Sequence, residues 1–260
     1  TAYSSWQARL ADEAGVDALI VGDSAAHVEL GYQTTVPCSM ADLIPRCVAC
    51  WRGSRRCFLI GDAPFGSTEE SSEQAIRTGV EFVKHGCSAV KLEGYRPRTV
   101  EAMAQAGLLV MGHVGLTPQT RARFGGYRVQ GKTAEAARVI LQQAVDTQEA
   151  GAVLLLLEAV PPEVGRLVAE RLTIPVIGVG AGRYTDGQCV IVHDLLGLFD
   201  QFRPKFSRRY AECGQIIREA LTHYASDVRS VTFPAAEEEY AMLPGEAEKL
   251  AAVLKGGLDA

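Results

Sequence analysis

The sequence predicts an α/β protein, a (β/α)8 TIM barrel with C-terminal helices, in one domain over 1–260. Three observations carry that prediction. A helix-like stretch ends in glycine, a short apolar run follows, and an ionisable residue closes the run; this unit recurs along the chain. The runs are continuously apolar rather than alternating, as strands buried on both faces require. With helix-like segments between them, they reach the eight that a closed barrel needs.

Taken in order, Thr1–Tyr3 reads as the remnant of a first strand. Gly15 leads into DALIV and Asp23, Gly53 into CFLI and Asp62, and Gly86 into SAVKL and Glu93. Gly107 leads into LLVM and His113, and Gly151 into AVLLLL and Glu158. A glycine there suits the left-handed position just past a helix C-terminus. PVIGV at 175–179 and CVIVH at 189–193 complete the set. Between the runs, 133–150 reads as a helix. Thr133 is its N-cap, and Ala137, Ile140, Leu141, Ala144 and Val145 form one stripe. A second helix spans about 73–85, with Ile76, Val80 and Val83 inward. The tail reads as helical from about 207 to 228 and again over 245–255, with the glutamates 237–239 a solvated stretch between.

Bulk properties narrow the function. The net charge of −5 lacks the basic excess of a nucleic-acid binder. No apolar run approaches the roughly 20 residues that span a bilayer. No signal sequence opens the chain as it stands, so a cytoplasmic location is expected. The seven cysteines are scattered, which argues against a disulfide framework. Cys47 and Cys50 form a C-x-x-C without the context of a redox or zinc site, and read as two small apolar residues on one helix face. GVGAG at 178–182 places Arg183 where a dinucleotide loop needs its third glycine, and reads as a tight turn.

The chemistry is expected at the C-terminal ends of the strands, where barrel enzymes carry their active sites. Asp23, Asp62, Glu93, His113 and Glu158 all fall there. Singly, each could cap a helix or satisfy a carbonyl. Together, several carboxylates on one rim repel, and a hard cation such as Mg²⁺ relieves the repulsion. Lys91 shares a strand face with Glu93 and needs an anionic partner.

The stretches VGDS (21–24), GDAPFGS (61–67), VKLEG (90–94), GHVGLTPQ (112–119), FGGYRVQG (124–131) and IPVIGVGAGRYTDGQ (174–188) resemble the ketopantoate hydroxymethyltransferase family. The likeness runs from Thr1 to about Pro234, with the motifs in order and correctly spaced. It implies a barrel of the phosphoenolpyruvate mutase and isocitrate lyase superfamily. It also implies transfer of a hydroxymethyl group from 5,10-methylenetetrahydrofolate to a 2-oxo acid, 2-oxoisovalerate to ketopantoate, through a metal-stabilised enolate in pantothenate biosynthesis. On that resemblance Asp23, Asp62 and Glu93 match the Mg²⁺ ligands, and Asp23, Ser24, Asp62 and Lys91 lie around the oxo acid. Glu158 matches the catalytic base and His113 lies near the reacting carbon. A homo-oligomer, a homodecamer by family resemblance, is implied as well.

The sequence departs from the family pattern beside these positions. Ala25, Ala26 and His27 follow Ser24 where the family has Leu-Gly-Met or similar, and Tyr95 replaces the second glycine after Glu93. Such changes point to an altered preference among oxo acids. Two other readings stay open on sequence: a superfamily C–C lyase or hydrolase acting on a 2-oxo or 2-hydroxy acid, and a non-catalytic paralogue. The lyase loop Lys-Lys-Cys-Gly-His is absent.

Overall fold

The structure, a computed structural model, describes residues 1–255. Contacts group the chain into two compact units, Thr1–Ala211 and Glu212–Ala260, where the sequence suggests no boundary. The first unit holds a parallel sheet of seven strands in sequential order. They are β1 (Ala18–Val21), β2 (Phe58–Asp62), β3 (Ala89–Glu93), β4 (Val110–Gly115), β5 (Leu154–Glu158), β6 (Val176–Val179) and β7 (Gly187–Gln188).

Thr1–Tyr3 takes no strand assignment, yet it bonds on both sides. The Ala2 N–H donates to Ile20 O at 3.2 Å on β1. The Thr1 ammonium donates to Val190 O at 3.0 Å, and Thr1 Oγ1 accepts the Val192 N–H at 3.0 Å. The segment therefore bridges the first strand and the end of the sheet. The expected strand at 189–193 is displaced: pairing occupies Gly187–Gln188, and Val192–Leu195 turns into a short helix. A short apolar run does not by itself distinguish a buried strand from a buried helical turn.

Residues two apart share a strand face. On one face Ile20, Ile60, Ala89, Met111 and Leu156 pack into a single cluster, the barrel interior. On the other face Leu19, Val21, Leu59, Val90, Leu92 and Val110 pack against helices, with Leu43, Phe82 and Met103 among the partners. Leu155, Leu157 and Val176 do the same with Ile140, Val164 and Val168. Gly61 permits this packing, because a Cβ there would lie 2.3 Å from the Phe82 ring.

The helices lie where the periodicity places them, except that on Ser72–Lys84 Val83, expected inward, is exposed and Phe82 takes the buried position. Ala134–Glu149 begins after Thr133, whose Oγ1 accepts the Ala136 N–H at 3.2 Å, and Ser72–Lys84 begins after Ser71. Cys47 and Cys50 lie fully buried in the helix Met40–Gly53 as free thiols within the core. GVGAG ends β6 with Gly178 and Val179 and then turns, with Gly180 and Gly182 at positive φ. The second unit contains the helices Cys213–Arg229 and Glu246–Lys255, and Tyr224 meets Phe233 edge-on at 5.4 Å. Among the described residues no helix is long and apolar enough to cross a membrane.

Candidate active site at the barrel mouth

Strand phase delivers the polar residues. Asp62 follows Ile60 by two, Lys91 and Glu93 follow Ala89, His113 follows Met111, and Glu158 follows Leu156. Each therefore shares the face of an interior residue, one or two steps nearer the C-terminal end. Register then places them side by side: Asp62 opposite Lys91, and Glu93 opposite His113. Asp23 and Ser24 follow β1 through Gly22, where a Cβ would sit 2.8 Å from Ser24 Oγ and 3.5 Å from Asp62 Oδ2. The glycine in VGDS thus leaves room for the Ser24 hydroxyl, while the next strand's carboxylate lies at ordinary contact distance.

A connected network results. Lys91 Nζ donates to Asp62 Oδ1 at 2.7 Å and lies 3.7 Å from Glu93 Oε2. The Asp23 N–H donates to Asp62 Oδ2 at 3.0 Å. His113 stands between two carboxylates, Nδ1 3.5 Å from Glu93 Oε2 and Nε2 3.4 Å from Glu158 Oε2. Neither ring nitrogen has the alignment of a hydrogen bond, although the ring is 1% exposed. Asp23, Asp62, Lys91 and Glu93 are buried too, while the Glu158 side chain keeps 16% exposure.

Burial sets the protonation pattern. It pushes Asp62 up to about 7, with the Asp23 and Glu93 charges adding to the rise against the pull of Lys91. It raises Glu158 well above the ordinary carboxylate range, with Glu93 adding to the rise. Glu93 goes the other way. Burial would raise it, but His113, Lys91 and the Gln119 N–H together hold it low. Burial opposes the charge on Lys91, yet Asp62, Glu93 and Asp23 outweigh it and keep the ammonium protonated. His113 is pulled below its usual value by burial and stays neutral. The mouth therefore gathers more carboxyl groups than its one ammonium offsets, and Asp62 and Glu158 hold protons more tightly in consequence, beside a neutral imidazole.

Backbone geometry supports the rim. Gly115 has φ 97°, and its Cβ would fall 2.3 Å from Glu158 O, so β4 and β5 approach closely where Glu158 emerges. Ala159 has φ 48°, a conformation unfavourable for a residue with a side chain.

Several residues that the sequence reading did not single out also reach the mouth. Gln119 bonds to Asp23 and Glu93, and the Tyr3 hydroxyl lies 2.8 Å from Ser24 Oγ. Arg121 lies over the Tyr127 ring at 5.3 Å. Burial raises the Tyr127 hydroxyl, and the Asp23 and Glu158 charges contribute to that rise. Gln119 lies in GHVGLTPQ and Tyr127 in FGGYRVQG, where neither residue type nor spacing marks them. Of the three departures after Ser24, Ala25 and Ala26 are fully buried in the core cluster. His27 remains partly exposed, its ring subject to the charges of Asp23 and Arg121.

Comparison with known proteins agrees with this architecture. The family model described as ketopantoate hydroxymethyltransferase matches residues 1–236. A protein named 3-methyl-2-oxobutanoate hydroxymethyltransferase from Syntrophobacter fumaroxidans is 46% identical over 253 residues, 96% of this chain and 90% of that one. A protein of the same name from Deinococcus radiodurans is 44% identical, covering 96% of this chain and 89% of that one. Among solved structures, a phosphoenolpyruvate phosphomutase from Streptomyces platensis subsp. rosaceus superposes with TM-score 0.58 at 15% identity, covering 98% of this chain and 91% of that one. A phosphonopyruvate hydrolase solved with oxalate and Mg²⁺ superposes with TM-score 0.57 at 12% identity, covering 99% and 92%. The distant structures share the fold. The family model and the close relatives, spanning nearly the whole chain, show that it belongs to the ketopantoate hydroxymethyltransferase family.

Proposed function

We propose that the mouth transfers a hydroxymethyl group from 5,10-methylenetetrahydrofolate to 2-oxoisovalerate, giving ketopantoate, with a divalent cation at Asp23, Asp62 and Glu93. The single observation that carries the reading is the convergence of these carboxylates on one buried rim around Lys91. The donor set is all oxygen, as Mg²⁺ prefers. Burial and mutual repulsion raise Asp62, and a bound cation relieves both. The described residues form no ready-made cage of three metal-binding side chains. Mg²⁺ needs only one or two carboxylates and completes its shell with water and substrate. The Mg²⁺ of the phosphonopyruvate hydrolase belongs to that protein; the proposal for this chain rests on its own carboxylates.

When bound, the cation supplies Lewis acidity toward the carboxylate and keto oxygens of the 2-oxo acid. Ser24 lies where it helps seat that acid, its hydroxyl held by Tyr3. Lys91 adds fixed positive charge beside the oxygen that becomes negative when the neighbouring carbon loses its proton. Glu158 takes that proton. Its raised proton affinity, moderated by positive charge in the mouth, suits a group that accepts a proton and later returns it. Water would displace both folate nitrogens from the one-carbon unit, releasing tetrahydrofolate and leaving a formaldehyde-level carbonyl; the deprotonated carbon would add to that carbonyl, and the proton held by Glu158 would pass to the new alkoxide to give the hydroxyl. His113, neutral, stands beside the base, 3.4 Å from Glu158. From the family resemblance we also propose a homodecamer and a cytoplasmic location.

Incubation with 2-oxoisovalerate and methylenetetrahydrofolate tests the reading. Ketopantoate should form with Mg²⁺ and fail to form after chelation. Absence of product in both arms overturns the proposed reaction. In deuterium oxide without folate, the wild type should exchange the proton beside the ketone. A Glu158→Gln variant that exchanges at the wild-type rate passes the role of base to His113.

A further inference from the structure

Gln119 is the one residue of the loop after β4 that bonds to two of the mouth carboxylates. It sits at the second position of the 3₁₀ segment Pro118–Phe124 and is 6% exposed. Its backbone N–H donates to Glu93 Oε1 at 2.8 Å. Its side-chain Nε2 donates to Asp23 Oδ2 at 3.1 Å and to Ala63 O at 3.0 Å. These partners follow or end three adjacent strands: Asp23 after β1, Ala63 after Asp62 on β2, and Glu93 on β3. A carboxylate and a carbonyl only accept, so the amide must present its NH₂ to both, and both of its hydrogens are used. The orientation of Gln119 is therefore dictated by its partners.

A buried carboxylate on a short side chain can rotate between ways of presenting its oxygens. Gln119 removes that freedom twice. Asp23 Oδ2 and Glu93 Oε1 are turned toward the loop, and the opposite edge of Glu93 faces Lys91 and His113. Resting on the metal reading above, we infer that Gln119 is a positioning residue. It clamps Asp23 and Glu93 so that their remaining lone pairs converge on one cation. Ligands held by an outer hydrogen-bonding partner bind metal more tightly than ligands left to rotate, because the ordering cost is met in advance.

Two variants test this, each read by calorimetric titration of Mg²⁺ with 2-oxoisovalerate present and by thermal unfolding. Gln119→Met keeps the length and the backbone N–H but removes both side-chain donors. Gln119→Asn keeps an amide but withdraws it by one methylene from Asp23. Each should weaken Mg²⁺ about 10–100-fold while unfolding within a few degrees of the wild type. Excess Mg²⁺ should restore most of the rate, so the apparent KM for Mg²⁺ moves far more than kcat. A residue that merely supported the loop would lower the unfolding temperature and leave Mg²⁺ affinity in the folded protein unchanged. Wild-type Mg²⁺ affinity in either folded variant overturns the clamp and leaves the metal reading standing. A wild-type protein that binds no Mg²⁺ overturns the metal reading, and the clamp with it.

Discussion

Asp62 and Asp12 carry the same side chain at opposite ends of the barrel and are held in opposite ways. Asp62 ends β2 at the mouth, 2% exposed, and burial lifts its pKa to about 7. Asp12 lies at the other end, in the last turn of the helix Ser5–Glu13 that leads into β1. Its carboxylate accepts the N–H groups of Arg55, Arg56 and Cys57, just before β2 begins, and its pKa falls to about 2. At the mouth, charges are brought together at a cost that Lys91 offsets only in part. At the base, one charge is satisfied by the backbone it organises. A barrel can crowd one rim for chemistry because the other rim and the outer layer hold the strands in register.

If that division holds, mouth substitutions should cost activity more than stability. Glu158→Gln should lower kcat by about 10²–10⁴, the usual worth of a positioned general base. Its unfolding temperature should equal or exceed that of the wild type, because a buried carboxyl raised by desolvation and Glu93 is replaced by a neutral amide. A large loss of stability in this variant would break the comparison. Unfolding followed by circular dichroism, beside a steady-state assay, measures both.

Lys91→Met should breach the division from the mouth side. Lys91 is the ammonium that Asp62 contacts at 2.7 Å and Glu93 at 3.7 Å. Its removal leaves buried carboxylates uncompensated, which typically costs about 3–5 kcal/mol. The activity should be lost together with that stability. Mg²⁺ should recover part of the unfolding temperature, whereas in the wild type the gain from Mg²⁺ should be smaller. Equal gains in both would show that cation and ammonium do not answer the same charge.

Behind the mouth, Gly61→Ala tests the outer layer. A methyl group there meets the fully buried Phe82 ring at 2.3 Å, and overpacking of this kind costs about 1–3 kcal/mol. The next residue is Asp62, so the strand's displacement should also appear as weaker Mg²⁺ binding. Chemical denaturation gives the first quantity and titration calorimetry the second. Unchanged stability would mean that Phe82 finds a second rotamer.

The strands were legible because runs such as AVLLLL and SAVKL are continuously apolar and bounded by glycine, and the mouth was legible because each run ends in an ionisable residue. Phase did the rest, since Asp62, Lys91, Glu93, His113 and Glu158 all lie an even number of residues from an interior position. The final run was misplaced, because CVIVH satisfies the apolar criterion in either conformation while the N-terminal segment takes its first turn. Ala25 and Ala26, which follow Asp23 and Ser24 directly, are buried in the core cluster; composition does not say which side of a short helix packs inward. Gln119 was invisible for another reason. An uncharged amide in a loop carries no signal in pattern or type, and its part depends on three neighbouring strand ends that the sheet sets side by side.

The smallest expected effect lies at the base, with Asp12→Ala. The folded pKa of Asp12 is depressed, chiefly by the Arg55 N–H and then by Cys57. A depressed carboxylate stabilises the fold at pH values above its unfolded pKa, near 3.9, and loses that contribution as pH falls through the folded value. The variant should therefore unfold a few degrees below the wild type at pH 7. The gap should persist to about pH 4 and close between there and about pH 2, where the wild-type carboxylate takes up its proton. Activity at pH 7 and 25 °C should be unchanged, because Asp12 touches the start of β2 rather than its end. Unfolding temperatures of both proteins across this pH range decide the matter. A gap that stays constant down to pH 2 would mean that the carboxylate's charge contributes nothing and that the alanine acts only by opening the turn at 54–57. A fall in kcat at pH 7 would mean that the base of β2 governs the placement of Asp62, and that the two ends of the strand are coupled rather than divided in their roles.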